Sequence, residues 1–360
     1  MKPAKDSPLN PTINDIARVA KVSLATVDRV LNARPGVRAK TVHKVNKAIA
    51  ELGYVRDTAA ANLARGRIYN FVFFLPANNN EFIGLLEEHI KQLSQNLRHE
   101  RTRISYIRVA AFDPAALAIA IDGLDIETVD GVAIFGPETP SVRDSVIHLK
   151  ERGVTVVSLV ADIPSSDRDH YIGIDNVAAG RTAAQLLGRF LGGRSGKIIV
   201  LTGSLLARDH LERRLGFDQV VARDFPQLEV LASLEGRDDP DLIERLLPET
   251  LSANENIIGI YSSAAGNEGL LRFFSSHTQI ERPVVVAHEL TSLSRDALAK
   301  GYFDALISQD AGHLVRSAIR VMRATRDTLP INTAQERIRI DIYLKENMPP
   351  LEGNDLGGSE

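Results

Sequence analysis

From Asn70 onward, eight short runs rich in Val, Ile and Phe alternate with longer stretches of helical pattern, and no other feature of the chain restricts its fold as tightly. The runs cover residues 70–75, 103–109, 131–135, 154–159, 197–201, 257–261, 283–287 and 305–308, with 10 to 18 residues of helical pattern between most of them. Near-continuous apolar strands are buried on both faces, as in a parallel sheet covered by helices, whereas one-sided sheets alternate apolar and polar residues. This many strands suits two doubly wound lobes better than a single sheet. Neither a solenoid repeat nor a low-complexity tract interrupts the pattern. No window approaches the roughly 18 uninterrupted apolar residues that a membrane helix needs, so no membrane partner is expected.

Many enzymes use such a scaffold. Gly192-Gly193-Arg194-Ser195-Gly196-Lys197 has the look of a phosphate loop, but Leu191 stands where the template needs its first Gly and Ile198 where it needs Ser or Thr. Its glycines also precede a strand instead of following one, which reads as an ordinary helix-to-strand turn. G-x-S-x-G, H-E-x-x-H and G-x-G-x-x-G are all missing, and the nine His are scattered without metal-ligand spacing. The chain has no Cys, hence no thiolate nucleophile, no disulfide and no Cys-ligated metal, which suits a reducing cytoplasm. His288-Glu289 at a strand end could form an acid–base pair, yet a binding role accounts for it equally well. No catalytic residue, metal or cofactor is therefore expected.

The first 70 residues are a different kind of sequence. They carry 13 Lys and Arg against 5 Asp and Glu, while the remainder carries 30 against 41, so the formal net charge of -3 hides a basic head on an acidic body. That distribution is the footprint of a module that neutralises phosphates. A solvated basic tail would lack apolar periodicity, yet Ile13, Ile16, Ala17 and Ala20 recur at helical spacing, as do Val27, Val30 and Leu31. Thr12 and Asp15 form a helix start signal, and Ser23 caps a second helix, about 24–31, after a turn of three or four residues. A third helix, about 39–52, closes on Gly53, which suits a left-handed cap.

The segments Thr12-Ile13-Asn14-Asp15-Ile16-Ala17, Val22-Ser23-Leu24-Ala25-Thr26-Val27-Asp28-Arg29-Val30-Leu31-Asn32 and Leu52-Gly53-Tyr54 resemble the DNA-binding head of the lactose repressor (LacI/GalR) family over about 50 residues. The resemblance implies an all-α helix-turn-helix head at 1–57 whose second helix enters the major groove. It assigns DNA contacts to Thr12, Ser23, Leu24, Ala25, Thr26, Arg29, Asn32 and Thr41. Arg29 suits a guanine edge and Leu24 and Ala25 a thymine methyl. Residues 58–69 correspond to the family's hinge helix and linker, with Leu63 as the apolar wedge that bends DNA at the minor groove. Three positions depart from the usual pattern: Lys21 for a turn Gly, and Asp28 and Arg38 each for a Ser. A carboxylate at 28 is repelled by phosphate unless it pairs with a cation or accepts from a cytosine amino group.

The body, 70–345, resembles the two-lobed, periplasmic-binding-protein-like effector domain of the same family, through Asn79-Asn80-Glu81-Phe82, Ile174-Asp175-Asn176-Val177-Ala178-Ala179-Gly180-Arg181, Arg213-Arg214-Leu215-Gly216-Phe217 and Gln309. By resemblance Asn79, Phe82, Asp162, Arg213, Ser263, Glu289 and Gln309 are effector-binding residues, with Asp175 capping a helix. Here too the sequence departs: Val160 stands where an acidic residue is usual, with Asp162 two positions on, and Ser263-Ala264 replaces Asn-Asp. The family reading implies a cytoplasmic, ligand-responsive repressor, a homodimer or tetramer on a pseudo-palindromic operator. Its effector is a sugar, polyol or sugar acid first and a purine second. The alternatives are a solute-binding protein of a transport system and an α/β enzyme. Residues 346–360 are expected to form a disordered tail.

Overall fold

The computed structural model describes residues 11–31, 35–54, 68–78, 80–264, 266–277 and 281–350, and the chain divides into two compact units, Met1–Arg67 and Ile68–Glu360. In the first unit, helices α1 (Ile13–Ala20), α2 (Leu24–Leu31) and α3 (Ala39–Leu52) occupy the expected spans. Ile16, Ala20, Val27, Val45 and Ala48 close over a small core. At the start of α1 the Asp15 carboxylate accepts from the Thr12 backbone N–H (2.9 Å) and from the Thr12 hydroxyl (2.8 Å), which is the acidic half of a capping box. Lys21, at the position of the usual Gly, adopts φ 54° and ψ 48°, so the left-handed turn forms without glycine. Gly53 caps α3 in the same conformation.

The second unit contains two sheets. In the first, β1 (Tyr69–Ala77), β2 (Thr102–Ala110), β3 (Gly131–Ile134), β4 (Thr155–Leu159) and β5 (His170–Ile172) lie in the order β2-β1-β3-β4-β5, all parallel. Helices cover both faces, which is why residues 71–75 of β1 are an unbroken apolar run. Phe71, Phe73 and Leu75 enter one core, and Val72 and Phe74 enter another.

The second sheet runs β12-β11-β10-β9-β6-β7, with the two-residue β8 (Leu234–Glu235) also on β6. Its strands are β6 (Gly196–Thr202), β7 (Leu228–Val230), β9 (Ile257–Ser262), β10 (Val284–His288), β11 (Ala305–Ser308) and β12 (Asp341–Tyr343). Only β12 pairs antiparallel. The chain crosses between lobes three times. It leaves β5 for the helix Asn176–Phe190 and leaves β11 for the helix Ala311–Arg326, which packs on the first sheet, before returning through β12. The fold is therefore a helix-turn-helix head followed by a two-lobed α/β body of doubly wound parallel sheets.

All eight anticipated runs are strands, and β5, β7, β8 and β12 are additional. Gly192 and Gly193 take positive φ between a helix and β6, as an ordinary turn. The linker expected to reach residue 69 ends earlier, since Tyr69 opens β1. Order also extends past residue 345: Lys345–Asn347 is a 3-10 turn, and the Pro349 carbonyl accepts from the Arg295 guanidinium (2.6 Å). Asn32, the hinge positions 58–67 with Leu63, Asn79 and residues 351–360 lie outside the described residues.

Candidate functional site

Two surfaces follow from this framework, one in each unit. In the head, Ser23 begins α2: its hydroxyl accepts from the Thr26 backbone N–H (3.2 Å) and its carbonyl accepts from Thr26 and Val27. Capping fixes where the first turn of α2 starts, and therefore what it presents. Val27 faces the core, while Ser23, Ala25 and Arg29 are exposed and Leu24 is 49% exposed. Leu24 stands beside Ala25 and Arg29, and Ile13 and Val19 of α1 are open on the same unit as well, at 44% and 40% exposed. Thr12 is exposed at the start of α1, and Thr41 is half-buried at the start of α3. Arg18, Lys21, Arg38, Lys40, Lys44 and Lys47 are exposed on the same unit.

In the body, the carboxyl ends of the strands in both sheets converge on a cleft with about 1120 Å³ of empty space, its solvent mouth included. Strand order reverses beside β1 in one sheet and beside β6 in the other, and such switch points are where open α/β sheets hold ligands. Phe82 lines the cleft on the first lobe. It is placed there because Asn80 caps its helix, accepting from the Phe82 N–H at 2.9 Å. Phe112, Phe135 and Val160 extend that apolar wall. Across the gap lie Asp209, His210, Arg213, Asp238, His288 and Glu289.

Arg213 is the organising group. It is 2% exposed, and its guanidinium donates to Asn176 Oδ1 (2.9 Å), to the Ser263 carbonyl (2.9 Å) and, at 3.5 Å, to Glu289 Oε1. Asn176 donates in turn to the Val160 carbonyl (3.3 Å), so the network reaches from the second lobe to the end of β4 in the first. Glu289 accepts from Gln309 Nε2 at 2.9 Å. Burial pushes the Glu289 carboxyl above its ordinary range, against the lowering effect of Arg213 and of the Gln309 hydrogen bonds. The arginine sits where it does because two helices touch at glycines. A Cβ on Gly180 would lie 1.9 Å from the Arg213 carbonyl oxygen, and one on Gly216 would lie 2.0 Å from that of Val177.

Strain marks the same site. Val160 and Glu289 both have left-handed backbones, φ 64° and 67°, and for a β-branched residue this is a strong outlier held by its surroundings. The Val160 N–H donates to the Ile172 carbonyl (2.9 Å), and its own carbonyl accepts from the Tyr171 hydroxyl (2.9 Å). Contacts also join the lobes at the rim. Arg208 pairs with Glu138 at 2.8 Å, the Leu293 N–H donates to Glu81 (3.0 Å), and Asn78 donates to Asp238.

Of the residues expected in the cleft, Phe82, Arg213 and Glu289 line it together. Gln309 stands behind Glu289 and does not line it. The hydroxyl of Ser263 donates to the Leu201 carbonyl (3.0 Å), and it is its backbone carbonyl that meets Arg213. Asp162 also does not line the cleft. It pairs with Arg168, accepts from the Ser158 hydroxyl (2.7 Å) and from the Ile163 N–H (2.7 Å), and is held below the ordinary carboxylate range by those bonds despite burial. Asp175 caps its helix, accepting from the Ala178 N–H at 2.8 Å. Asp209, His210 and Asp238 line the cleft as well, unassigned from the sequence. For Asp209 a signal existed, since its four-residue spacing from Arg213 puts both on one helix face.

Comparison with known proteins gives two family matches. Residues 71–327 match the periplasmic binding protein domain, and residues 12–57 match the bacterial regulatory proteins of the lacI family. Catabolite control protein A of Staphylococcus aureus (strain N315) is 26% identical over 180 residues, 50% of this chain and 52% of that protein. The chain thus spans about half the length of the curated relatives it matches. Among solved structures, an ABC transporter solute-binding protein from Burkholderia graminis C4D1M in complex with D-arabinose aligns with a TM-score of 0.69 at 21% identity, covering 78% of this chain and 96% of that one. A glucose-galactose binding protein from Geobacillus stearothermophilus aligns with a TM-score of 0.69 at 18% identity, covering 79% and 100%. These likenesses are in fold.

Proposed function

The chain belongs to the periplasmic binding protein domain family and carries a lacI-family DNA-binding domain ahead of it, and from that membership we propose that it is a ligand-responsive regulator of transcription. The head binds operator DNA and the cleft binds a small effector. The observation that carries this reading is the exposed face of α2, where Leu24, Ala25 and Arg29 stand outward on a folded basic unit. A solute-binding protein needs no such unit, and the head separates the two readings.

Leu24, Ala25 and Arg29 meet base edges in the major groove, with Thr12, Ser23, Thr26, Asn32 and Thr41 on or near the backbone and Leu63 as a minor-groove wedge. Two copies acting as a homodimer present two such helices to a pseudo-palindromic site, most simply as a repressor in the bacterial cytoplasm. In the cleft, Phe82 offers a face to the C–H side of a sugar or polyol, and carboxylates with Arg213 hold its hydroxyls. The chain works by binding, without catalysis. Its similarity to a protein solved with D-arabinose and to a glucose-galactose binding protein supports a polyhydroxylated effector.

The test is selection of DNA from a random library with the purified chain. A two-fold symmetric sequence is expected, with the logarithm of affinity falling linearly with the logarithm of salt concentration. Arg29→Ala should cost about 1–3 kcal/mol and relax preference at one base pair per half-site. Recovery of no enriched sequence would overturn the reading.

A further inference from the structure

The charge inside the cleft is more one-sided than a neutral sugar requires. Asp209 is 3% exposed and lines the cleft, and its Oδ1 has no hydrogen-bond partner among the described residues. The same is true of Asp238 Oδ1, a buried oxygen on a half-buried residue of the same wall. The two carboxylates lie close enough for Asp209 to raise the proton affinity of Asp238.

The basic side chains nearby do not answer them. Arg213 is committed to Glu289, Asn176 and the Ser263 carbonyl. His210 has Nδ1 engaged with the backbone of Ser204, and its Nε2 reaches only one oxygen of Asp209, Oδ2, at 3.6 Å. No lysine lines the cleft among the described residues.

A buried carboxylate oxygen without a donor is costly, and the cost is relieved most by a charged donor, whose hydrogen bonds are about twice as strong as neutral ones. An anionic guest would add a third negative charge to a wall that offers it no free cation, and like charges at short range repel strongly in a desolvated site. Phe112, whose ring lies 6.1 Å from that of His210, closes the opposite side and provides an apolar face beside the acid pair.

We propose that the effector is an amine-bearing polyol, an amino sugar or aminated sugar alcohol, whose ammonium group is seated between Asp209 and Asp238. This rests on the reading of the cleft as the effector site, and it sets the guest's charge. Sugar acids, among the first expectations from sequence, are excluded by the same geometry.

The experiment uses the full chain and nine probes: D-glucose, D-galactose and D-mannose, the three corresponding 2-amino-2-deoxy sugars and the three corresponding uronic acids. Thermal shift is followed by calorimetric titration. At least one amino sugar is expected to bind about tenfold or more tightly than its neutral parent, and no uronate should bind. Asp209→Asn, which is isosteric, should erase that preference, bringing the amino sugar to within about twofold of its neutral parent in the same variant. Asp238→Asn gives an independent second reading if the first variant does not fold. A neutral hexose bound as tightly as its amino counterpart, or a uronate bound at all, would overturn the charge assignment and leave the cleft as the effector site. Silence from all nine probes would overturn both.

Discussion

The carboxyl group of Asp238 is raised by burial from 3.8 to about 6, with the nearby His210 and Asn80 side chains opposing the rise and Asp209 adding to it. Because the folded chain holds this proton more tightly than the unfolded chain does, the group's stabilising contribution is present in full below about pH 3.8 and is lost as pH rises through about 6. Removing the ionisation should therefore help most where the carboxylate is charged. Asp238→Asn is expected to raise the melting temperature of the ligand-free chain more at about pH 7.5 than at about pH 5, because at the lower pH most of the wild-type carboxyl is already neutral. Comparing the two chains at each pH cancels the other titrating groups. A gain independent of pH between those values would show that Asp238 does not carry the strain assigned to it. The same residue shows what a single sequence conceals: an Asp in the turn between a short strand and a helix has no periodicity and no motif, and its depth is set by chain 160 residues away, where Asn78 meets it.

At the scale of elements, the position of Arg213 depends on two helices, Asn176–Phe190 and Arg208–Asp224, crossing close enough for Gly180 and Gly216 to touch the opposite backbone. Gly216→Ala would put a Cβ 2.0 Å from the Val177 carbonyl oxygen, well inside contact distance, so the helices must separate. Overpacking of this kind costs about 1–3 kcal/mol. The displacement falls three residues from Arg213, so effector affinity should drop more than the loss of stability alone would produce. Calorimetry on the folded variant reads this directly. Gly84→Ala is the control: it adds a methyl in a helix with nothing within 4 Å, and should be neutral or stabilising by about 0.5–1 kcal/mol. Unchanged effector affinity in Gly216→Ala would separate the crossing from the site. The eight long strands were legible because burial on two faces leaves an unbroken apolar run. The strands β5, β7 and β12 were not, being three-residue pieces at sheet edges with half-exposed side chains, where pairing is decided by neighbours and not by local composition. In the head, all three helices were legible because caps at Thr12, Ser23 and Gly53 punctuate a strong period.

For the whole molecule, the proposed function is a coupling free energy between cleft and head, and its magnitude is bounded by how differently the effector binds the DNA-competent and DNA-incompetent forms. The basic head and acidic body made that division of labour visible in sequence. The chemistry of the cleft was only partly visible, since Arg213, Phe82 and Glu289 come from distant segments and are recognised by resemblance, whereas Asp209 and His210 become cleft residues only once two sheets bring their carboxyl ends together. Arg213 ties Asn176, and through it the Val160 carbonyl of the first lobe, to Glu289 and Ser263 of the second. Its removal should therefore uncouple the molecule without disarming the head. Arg213→Ala is expected to bind operator DNA within about twofold of the parent when no effector is present, and to show no change in DNA affinity when effector is added at levels that shift the parent. Reciprocity supplies the internal check: in the parent, saturating operator must change effector affinity by the same factor by which effector changes operator affinity, and in the variant both factors must fall to one together. A variant that still responds to effector would take Arg213 out of the coupling. A variant that loses DNA affinity without effector would mean that the arginine sets the head's resting state as well, because the loss would then arise in the balance of forms and not in ligand binding.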